Sequence, residues 1–480
     1  ISDNDSKKLD KKLYAGTDLI GKTGIEKYYE PLLLGKPGYQ SIETNAYGDI
    51  IKKLDTKPPI PGNDIYLSLD YGLQKLTSDL LNGKRGAAVA IDPSTGEILA
   101  FVSNPSFDPN PFITGISSRE YKALQQDPDM PLYNRALQGQ YPPGSSIKPI
   151  EGLAGIHYGI MGWDSSIYDP GYFSLPGDSH KFRDWKKSGH GNVNLHKSVV
   201  ESVDTYYYKL SYQLGIDRLH DWMTRFNFGS KTGIDLPGEK IGVYPSTEWK
   251  MKTYKKAWLP GETISVSIGQ GYFLATPLQI ANGIAMLAGD GQHLTPHLLK
   301  KSTGAEHVTP IEKPDGKIQY NGNPNDWQRM HLAMEDVVKK GTAHNIYTPT
   351  YRIAGKTGTA QVKSIAQGKR YNEAALDSRH WDHGWFVGFA PVENPQIAIA
   401  VIVENGRHGG WVAPIVRKMM DYWLIDKIKK PIVPPSPEEL AKINAEKQAA
   451  KLQRAALVLS GKPIIAKPNT AKLTAVGGAD

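Results

Sequence analysis

The sequence of 480 residues contains no cysteine. This absence excludes thiolate catalysis, disulfide bonds and zinc sites built on cysteine. The chain also lacks an apolar run of the roughly 18 residues that a membrane-spanning helix needs. Its polar beginning, ISDNDSKKLDKK, has none of the features of a signal peptide. A membrane anchor or targeting segment is therefore not visible in the sequence.

The chain has a modest excess of positive charge, with 57 lysine and arginine residues against 49 aspartate and glutamate residues. These charges are interleaved along the chain, whereas proteins that bind nucleic acids concentrate their basic residues in patches. We therefore expect no nucleic-acid partner. Hydrophobic residues make up 39% of the chain and charged residues 22%, which is typical of a globular protein with a substantial core.

Changes in composition divide the chain into three predicted parts. The proline-rich stretch TKPPIPG ends an N-terminal region at residues 1–62. Residues 431–480 are rich in alanine, lysine and proline, and the chain has no aromatic residue after Trp423. This composition predicts a largely disordered C-terminal tail. Residues 63–430 are then expected to form one domain.

Two apolar hairpins are predicted at the ends of the central region. The first is GAAVAIDPSTGEILAFV, and the second joins WFVGFAP to QIAIAVIVE through the turn residues ENP. Helical spacing of apolar residues occurs between them, for example from the N-cap residue Asp70 to the stop at Asn82 and Gly83. The pattern predicts an α+β fold, with an antiparallel sheet that is closed by both hairpins and flanked by helices.

The stretch YPPGSSIKP places a serine and a lysine one helical turn apart. Gly144 favours a helix start, and Pro149 fits only within the first turn, so a helix is predicted to begin near Ser145 or Ser146. Ser145 then lies at the positive end of the helix, on the same face as Lys148. We predict that Ser145 is a nucleophile and that neutral Lys148 is its base. The alternative is a capped helix with an exposed lysine.

The stretch ESVDTYYYKL places Ser202 and Asp204 on one side of the chain at the entry to a helix. As catalytic residues, Ser202 would relay a proton between Lys148 and a leaving amine, and Asp204 would orient the lysine. The alternative is that both side chains only cap the helix.

The tripeptide Lys-Thr-Gly occurs three times, beginning at Lys22, Lys231 and Lys356. The first copy runs into an amphipathic segment and the second into a turn-rich connector. The third copy, in YRIAGKTGTAQVK, directly precedes the C-terminal hairpin, where an edge strand is expected. We therefore assign catalysis to the copy at Lys356.

This predicted edge strand has features of a peptide-binding strand. Gly355 and Gly358 remove side chains from the edge and allow another backbone to approach. Thr357 and Thr359 face one side and offer hydroxyl groups to a substrate carboxylate beside the cation of Lys356. Thr357, Gly358 and Thr359 are therefore predicted to bind the substrate.

In this order, Ser-x-x-Lys, Ser-x-Asp and Lys-Thr-Gly resemble the motifs of penicillin-binding proteins and serine β-lactamases. Longer stretches resemble the class B, elongation-specific branch of the penicillin-binding proteins from about residue 20 to residue 425. These stretches are LYNRALQGQYPPGSSIKP, DPGYFSLPGDSHKFRDWKKSGHG, SIGQGYFLATPLQIANG and AGKTGTAQV. The resemblance implies a β-lactamase/transpeptidase-like fold, in which residues 1–62 are the remnant of a pedestal.

The resemblance also implies an activity, peptidoglycan D,D-transpeptidation. Ser145 would attack the penultimate D-Ala carbonyl of a stem peptide, release D-Ala and pass the acyl group to an amine of a neighbouring stem. The backbone N–H groups of Ser145 and Thr359 would form the oxyanion hole. β-Lactams would acylate the same serine, and no cofactor is expected.

Proteins of this branch carry an N-terminal membrane helix and work with a SEDS-family glycosyltransferase in the membrane. The resemblance therefore implies that this chain is the periplasmic domain of a protein anchored in the inner membrane, and that the anchor lies outside the sequence. The expected partners are stem peptides, β-lactams and the glycosyltransferase.

Relatives in this branch bind zinc through two aspartates, one histidine and one cysteine. Asp169, Asp184 and His190 match three of these positions, but Val203 occupies the position of the cysteine. A structural zinc site normally needs four protein ligands, so we expect no bound metal. The alternative role of these residues is to cap turns and to pack within a glycine-rich loop.

Three other functions are compatible with the motifs. A β-lactamase needs a glutamate that positions water on the acyl-enzyme, and no segment is assigned that role. A D,D-carboxypeptidase differs in using water as the acceptor. A non-catalytic β-lactam sensor normally signals through a membrane segment, which this chain lacks. We therefore predict a transpeptidase.

Overall fold

A computed structural model of the chain describes residues 19–304, 316–362 and 377–427, together with a few residues before 19 and after 427. The chain divides into two units, Ile1–Pro431 and Ile432–Asp480. All but two residues of the predicted disordered tail lie outside the described residues. The three-part division into 1–62, 63–430 and 431–480 therefore stays a prediction.

The strands of the described residues are β1 (Tyr39–Thr44), β2 (Ile50–Lys57), β3 (Asp64–Leu67), β4 (Gly86–Ile91), β5 (Ile98–Asn104), β6 (Ser166–Asp169), β7 (Tyr172–Phe173), β8 (Phe182–Arg183), β9 (Gly191–Asn194), β10 (Leu299–Thr303), β11 (Ala354–Ala360), β12 (His383–Ala390) and β13 (Ile397–Val403). The α-helices are α1 (Gly24–Tyr28), α2 (Glu30–Leu33), α3 (Tyr71–Leu81), α4 (Asn110–Thr114), α5 (Ser118–Gln126), α6 (Arg135–Gln138), α7 (Lys148–His157), α8 (Leu195–Val200), α9 (Asp204–Leu214), α10 (Ile216–Thr224), α11 (Thr247–Tyr254), α12 (Pro260–Val266), α13 (Pro277–Ala288), α14 (Asn325–Lys339) and α15 (Gly409–Asp421). None of the helices formed by the described residues is long and apolar enough to cross a membrane.

Five strands form the central sheet, in the order β11–β12–β13–β4–β5. Every neighbouring pair is antiparallel. The two predicted hairpins are therefore β4–β5 and β12–β13, and they meet where β13 pairs with β4, with Ala400 opposite Val89. Every residue of β4 and β13 is buried, which explains their continuous apolar sequences. The predicted α+β fold with a sheet closed by both hairpins is confirmed.

Helices pack against the central sheet and bury it. α13 packs against β13 and β4, whereas α15 packs against β12 and β13. All residues of α13 are buried, in keeping with a helix that is apolar on all sides. Its first turn is closed by a capping box, in which Thr276 Oγ1 accepts from the N–H of Gln279 and Gln279 Oε1 accepts from the N–H of Thr276. Replacing a core residue such as Leu287 with alanine should cost about 2–5 kcal/mol of stability.

Local signals in the sequence place several boundaries correctly. The side chain of Asp70 accepts a hydrogen bond of 2.8 Å from the N–H of Leu73, so α3 begins after its predicted cap. The helix ends at Leu81, before the predicted stop at Asn82. β3 pairs with β10 in a separate two-stranded sheet and does not join the central sheet.

Candidate active site

Ser145 lies in a 3₁₀ turn, Gly144–Ile147, that leads directly into α7. The α-helix predicted to begin near Ser145 therefore begins at Lys148, with Pro149 in its first turn. A 3₁₀ turn is a common N-terminal extension of a helix, and a proline is accepted there because it lacks only an N–H that the helix does not use. The predicted spacing between Ser145 and Lys148 is preserved within one continuous helical segment.

The Ser145 turn is held against the end of β11 and against a glycine-rich loop. The N–H of Gly144 donates to the carbonyl of Gly269 at 2.9 Å, and Gln270 Nε2 donates to the carbonyl of Thr359 at 3.0 Å. Gly144 has φ +57°, and a Cβ at this residue would lie 2.4 Å from the carbonyl oxygen of Thr359. A glycine is therefore required where the turn meets the strand.

Two glycines of β11 serve close packing inside the chain. A Cβ at Gly358 would lie 2.9 Å from the carbonyl oxygen of Pro143, and one at Gly355 would lie 2.5 Å from the ring of Phe386. The sequence prediction did not include this reason for the glycines. Their predicted role in admitting a substrate backbone stays a prediction.

Lys148 is fully buried beside the second motif, so the alternative of an exposed lysine is wrong. Its Nζ lies 2.6 Å from Asp204 Oδ1, 2.9 Å from the carbonyl oxygen of Ser202 and 3.5 Å from Ser202 Oγ. Ser202 has φ +57°, a left-handed conformation that is uncommon for serine. Asp204 is the first residue of α9, and its carboxylate binds the lysine. Both side chains of the motif therefore face Lys148, as predicted.

Lys356 completes a buried network of two lysines around one serine hydroxyl. Lys356 Nζ donates to Ser202 Oγ at 2.7 Å, so this hydroxyl lies between the side-chain nitrogens of the two lysines. Burial lowers the pKa of Lys356 well below its ordinary value, and the charge of Lys148 lowers it further. The carboxylate of Asp204 opposes this shift.

The network distributes its charges unevenly between the two lysines. Lys148 forms an ion pair with Asp204, whose side chain is 14% exposed. Lys356 instead contacts the hydroxyl of Ser202 and the carbonyl of Thr357. The lowered pKa favours the neutral amine at Lys356. The predicted role of Lys148 as the neutral base is not tested by this shift. Which lysine accepts the proton of Ser145 stays a prediction.

The third motif lies on an edge strand, as predicted for the copy at Lys356. Among the strands that the structure describes, β11 pairs only with β12, and Lys356 lies opposite Val387. Thr357 and Thr359 are both partly exposed, and Thr357 Oγ1 lies 2.7 Å from Thr342 Oγ1. The copies that begin at Lys22 and Lys231 are not part of any strand.

The three motifs surround one cleft of about 980 Å³. The predicted residues that line it are Ser145, Ser202, Asp204, Thr357, Gly358 and Thr359. Lys148 and Lys356 lie buried behind this surface. Sequence reasoning missed Trp185, Gln270 and Trp411, which also line the cleft. Gln270 lies in the stretch SIGQGYFLATPLQIANG, but no local chemistry marks it as part of a site.

Asp169, Asp184 and His190 come together next to the second motif, and all three are buried. His190 Nδ1 lies 2.7 Å from Asp169 Oδ2 and 3.6 Å from Asp184 Oδ1. Asp169 Oδ1 accepts a hydrogen bond of 2.7 Å from the N–H of Gly171, and Asp184 Oδ1 accepts one of 3.1 Å from the N–H of Lys186. Both aspartates therefore cap turns, which is the alternative role that the sequence suggested. Asp184 Oδ2 accepts from the N–H and from Oγ1 of Thr205, in the first turn of α9.

A zinc ion does not fit this cluster well. The buried and unpartnered His190 Nε2 points to spare donor capacity, and the three donor groups lie within 4.8 Å of one another. However, Val203 is fully buried at the predicted fourth position and offers no donor atom. Three protein donors fall short of the four that a structural zinc site normally uses. The absence of a metal stays a prediction, and no catalytic step is derived through one.

The chain is similar to known proteins over most of its length. Residues 86–421 match the family described as the penicillin-binding protein transpeptidase domain, and residues 1–67 match the penicillin-binding protein dimerisation domain. The peptidoglycan D,D-transpeptidase MrdA of Acinetobacter baumannii is 60% identical over 434 residues, which cover 90% of this chain and 65% of that protein. The chain thus spans just under two thirds of the length of this relative.

Two solved structures share the fold. The structure of Pseudomonas aeruginosa PBP2 in complex with WCK 5153 has a TM-score of 0.78 and 45% sequence identity, with 90% of this chain and 88% of that chain covered. The complex between PBP2 and MreC from Helicobacter pylori has a TM-score of 0.79 and 36% identity, with 88% of this chain and 76% of that chain covered. The β-lactamase/transpeptidase-like fold and the predicted resemblance are confirmed.

Proposed function

Because the chain belongs to the penicillin-binding protein transpeptidase family, we propose that it cross-links peptidoglycan stem peptides during cell elongation, through an acyl group on Ser145. One observation carries the proposal. Ser202 lies 54 positions after Lys148 and 154 positions before Lys356, yet these two buried lysines share its hydroxyl, next to the cleft that Ser145 lines. Capped helices and exposed lysines would not produce this convergence.

In the first step, Ser145 Oγ attacks the carbonyl carbon of the penultimate D-Ala. The hydroxyl proton passes to the lysine network, in which Lys148 follows Ser145 by one helical turn and the neutral amine is favoured at Lys356. When the peptide bond breaks, the leaving amine of D-Ala takes a proton from the network through Ser202. The amine of a second stem then attacks the acyl carbon and gives up a proton to the same network. The ester bond to Ser145 breaks, and Ser145 Oγ takes that proton back, which restores the free enzyme.

The negative charge on the carbonyl oxygen needs two donors during each transfer. We assign this role to the backbone N–H groups of Ser145 and Thr359, because Gly144 packs directly on the peptide group of Thr359. One such donor contributes about 2.7–4 kcal/mol to the stability of the transition state. Thr357 and Thr359 would bind the terminal carboxylate of the donor stem beside Lys356.

The proposal also includes a protein partner and a cellular location for this chain. The relative from Helicobacter pylori forms a complex with MreC. We expect this chain to act with a SEDS-family glycosyltransferase, as the periplasmic part of a protein anchored in the inner membrane. Co-purification of the full-length protein with the glycosyltransferase would support this assignment, and separation of the two in mild detergent would contradict it.

Mass spectrometry after incubation with a penicillin tests the nucleophile. We expect one stable adduct on Ser145 and none in Ser145→Ala, whereas Ser117→Ala, at a surface helix cap, should react normally. Rapid release of hydrolysed penicillin would favour a β-lactamase instead. A pentapeptide assay with and without an amine acceptor then distinguishes transpeptidation from carboxypeptidation. Cross-linked product supports transpeptidation, and release of D-Ala into water alone supports the carboxypeptidase.

A further inference from the structure

A second cavity of about 540 Å³ lies beside the catalytic cleft. Trp411, whose side chain is 69% exposed, lines both spaces. Asp382 and His408 line the cleft, and their chain neighbours Trp381 and Arg407 line the second cavity. Adjacent residues of the same two segments therefore line the two spaces.

The second cavity is lined by more basic than acidic side chains. Its basic residues are Lys84, Arg85, Arg379 and Arg407, and its acidic residues are Asp129 and Glu404. Glu404 is largely buried, and Arg135 Nε and the hydroxyl of Tyr141 donate to its Oε1 at 2.7 and 2.8 Å. Four basic side chains against two acidic ones give the lining an excess of positive formal charge, which favours an anionic ligand.

Two guanidinium groups of the cavity converge on one carboxylate oxygen. Arg379 Nη2 lies 2.9 Å from Asp129 Oδ1, and Arg85 Nε lies 3.7 Å from the same atom. The side chains of Asp129 and Arg379 are 41% and 50% exposed. Ion pairs this exposed are weak, so the carboxylate of a ligand can take the place of Asp129 at Arg379. Arg379 and Arg85 thus lie near enough to each other to contact one carboxylate.

The rest of the lining suits a peptide. The guanidinium of Arg407 lies 4.1 Å from the ring centre of Trp381, and Val412 and Ile415 add apolar surface. The volume lies within the range of about 300–1,000 Å³ that is typical of ligand pockets. A ligand that combines carboxylates with short aliphatic side chains would match both the charge and the apolar surface.

We propose that this cavity binds a carboxylate of the acceptor stem peptide and thereby holds the acceptor amine near the acyl group on Ser145. The inference rests on the proposed function, in which two peptides must be present together. In this arrangement the donor stem binds in the cleft around β11. The acceptor stem binds in the second cavity, which shares Trp411 with the cleft and is lined by cationic side chains.

The test compares the double variant Arg379→Gln and Arg407→Gln with Arg218→Gln, which removes one positive charge from α10, outside both spaces. The acylation rate with a D-Ala-D-Ala thioester is measured first. Transfer of the acyl group is then measured with two acceptors. One is a stem tripeptide with free carboxylates, and the other is D-alaninamide, which has no carboxylate. Quenching of tryptophan fluorescence by the tripeptide reports binding without any need for catalysis.

We expect the double variant to be acylated normally and to use D-alaninamide normally. The KM of the double variant for the tripeptide should rise about tenfold or more, because at least one charge-assisted hydrogen bond is lost. The tripeptide concentration that quenches half of the fluorescence should rise by the same factor. Unchanged tripeptide values would overturn the inference. Equal losses with both acceptors, or slower acylation, would also overturn it, because they indicate a structural or donor-side effect. A wild-type chain that is not acylated at all, yet binds the tripeptide through these arginines, would contradict the proposed function and leave the anion site standing.

Discussion

Replacing Asp204 with asparagine should shift the pH dependence of acylation to lower pH. The substitution keeps an acceptor oxygen near Lys148 but removes the negative charge that lies 2.6 Å from Lys148 Nζ. Glu151, one turn further along α7, is a poor replacement for that charge, because burial raises its pKa well above the ordinary value and favours the neutral acid. Asp204 is therefore the anion that opposes the loss of the proton from the lysine network.

The size of the shift follows from the hydrogen bond that is weakened. A hydrogen bond to a charged group contributes about 1.5–3 kcal/mol and a neutral one about 0.5–1.5 kcal/mol. The difference, about 1–1.5 kcal/mol, corresponds to about one pKa unit. Burial and Lys148 already lower the pKa of Lys356, and Asp204 raises it, so removing Asp204 lowers it further. Burial and Asp204 also raise the pKa of Asp184, which gains negative charge in the variant and partly offsets the change.

The assay is the second-order rate constant for acylation by a fluorescent penicillin, measured from acidic to alkaline pH. A base must be neutral to act, so the rate rises with pH through the apparent pKa of the network. In Asp204→Asn this rise should occur about one pH unit lower, with a reduced plateau because the base is weaker. Asp79→Asn, which breaks an exposed ion pair with Lys75, is the control and should leave the profile unchanged. A rise at the wild-type pH, or at higher pH, would refute the reasoning.

Three further substitutions test other parts of the site. Ser202→Ala removes the hydroxyl between the two lysines and should slow acylation about a hundredfold or more, measured with the same penicillin; a normal rate would exclude the relay. Gly358→Ala puts a Cβ 2.9 Å from the carbonyl oxygen of Pro143 and should lower the free energy of unfolding by about 1–3 kcal/mol. Gly162→Ala adds a Cβ that meets no atom within 4 Å and should leave the free energy of unfolding unchanged. Thermal denaturation of both variants measures this difference, and equal destabilisation by the two substitutions would contradict the packing argument. Val203→Cys supplies a fourth donor and should bind zinc stoichiometrically by elemental analysis, whereas stoichiometric zinc in the wild-type protein would show that three protein donors suffice.

Local patterns were enough to predict the sheet and the positions of the motifs. The hairpins at β4–β5 and β12–β13 are marked by apolar runs and turn residues that lie close together in the sequence. The edge position of β11 followed from its place before the second hairpin. These features depend on neighbouring residues, so a single sequence contains the information needed for them.

The chemistry of the lysines depends on distances that the sequence does not contain. Lys356 and Ser202 are 154 positions apart but lie in contact at 2.7 Å. Burial and the nearby charge of Lys148, which lower the pKa of Lys356, likewise arise only in the folded chain. The approach of the Ser145 turn to Thr359 likewise explains Gly144, which the sequence suggested only as a residue that favours a helix start. The second cavity joins segments near residues 84, 129, 379 and 407, and no spacing rule connects them.

Hydrogen bonds from two sides hold the second motif in place. On one side, Ser202 and Asp204 bind Lys148 and, through the Ser202 hydroxyl, Lys356. On the other side, Asp184 Oδ2 accepts two hydrogen bonds of 3.0 Å from Thr205, the residue after Asp204. A carboxylate that accepts from a backbone N–H in the first turn of a helix stabilises that turn without any metal. Zinc would therefore add rigidity to a turn that hydrogen bonds already hold, so the loss of a thiolate at Val203 is compatible with an intact site.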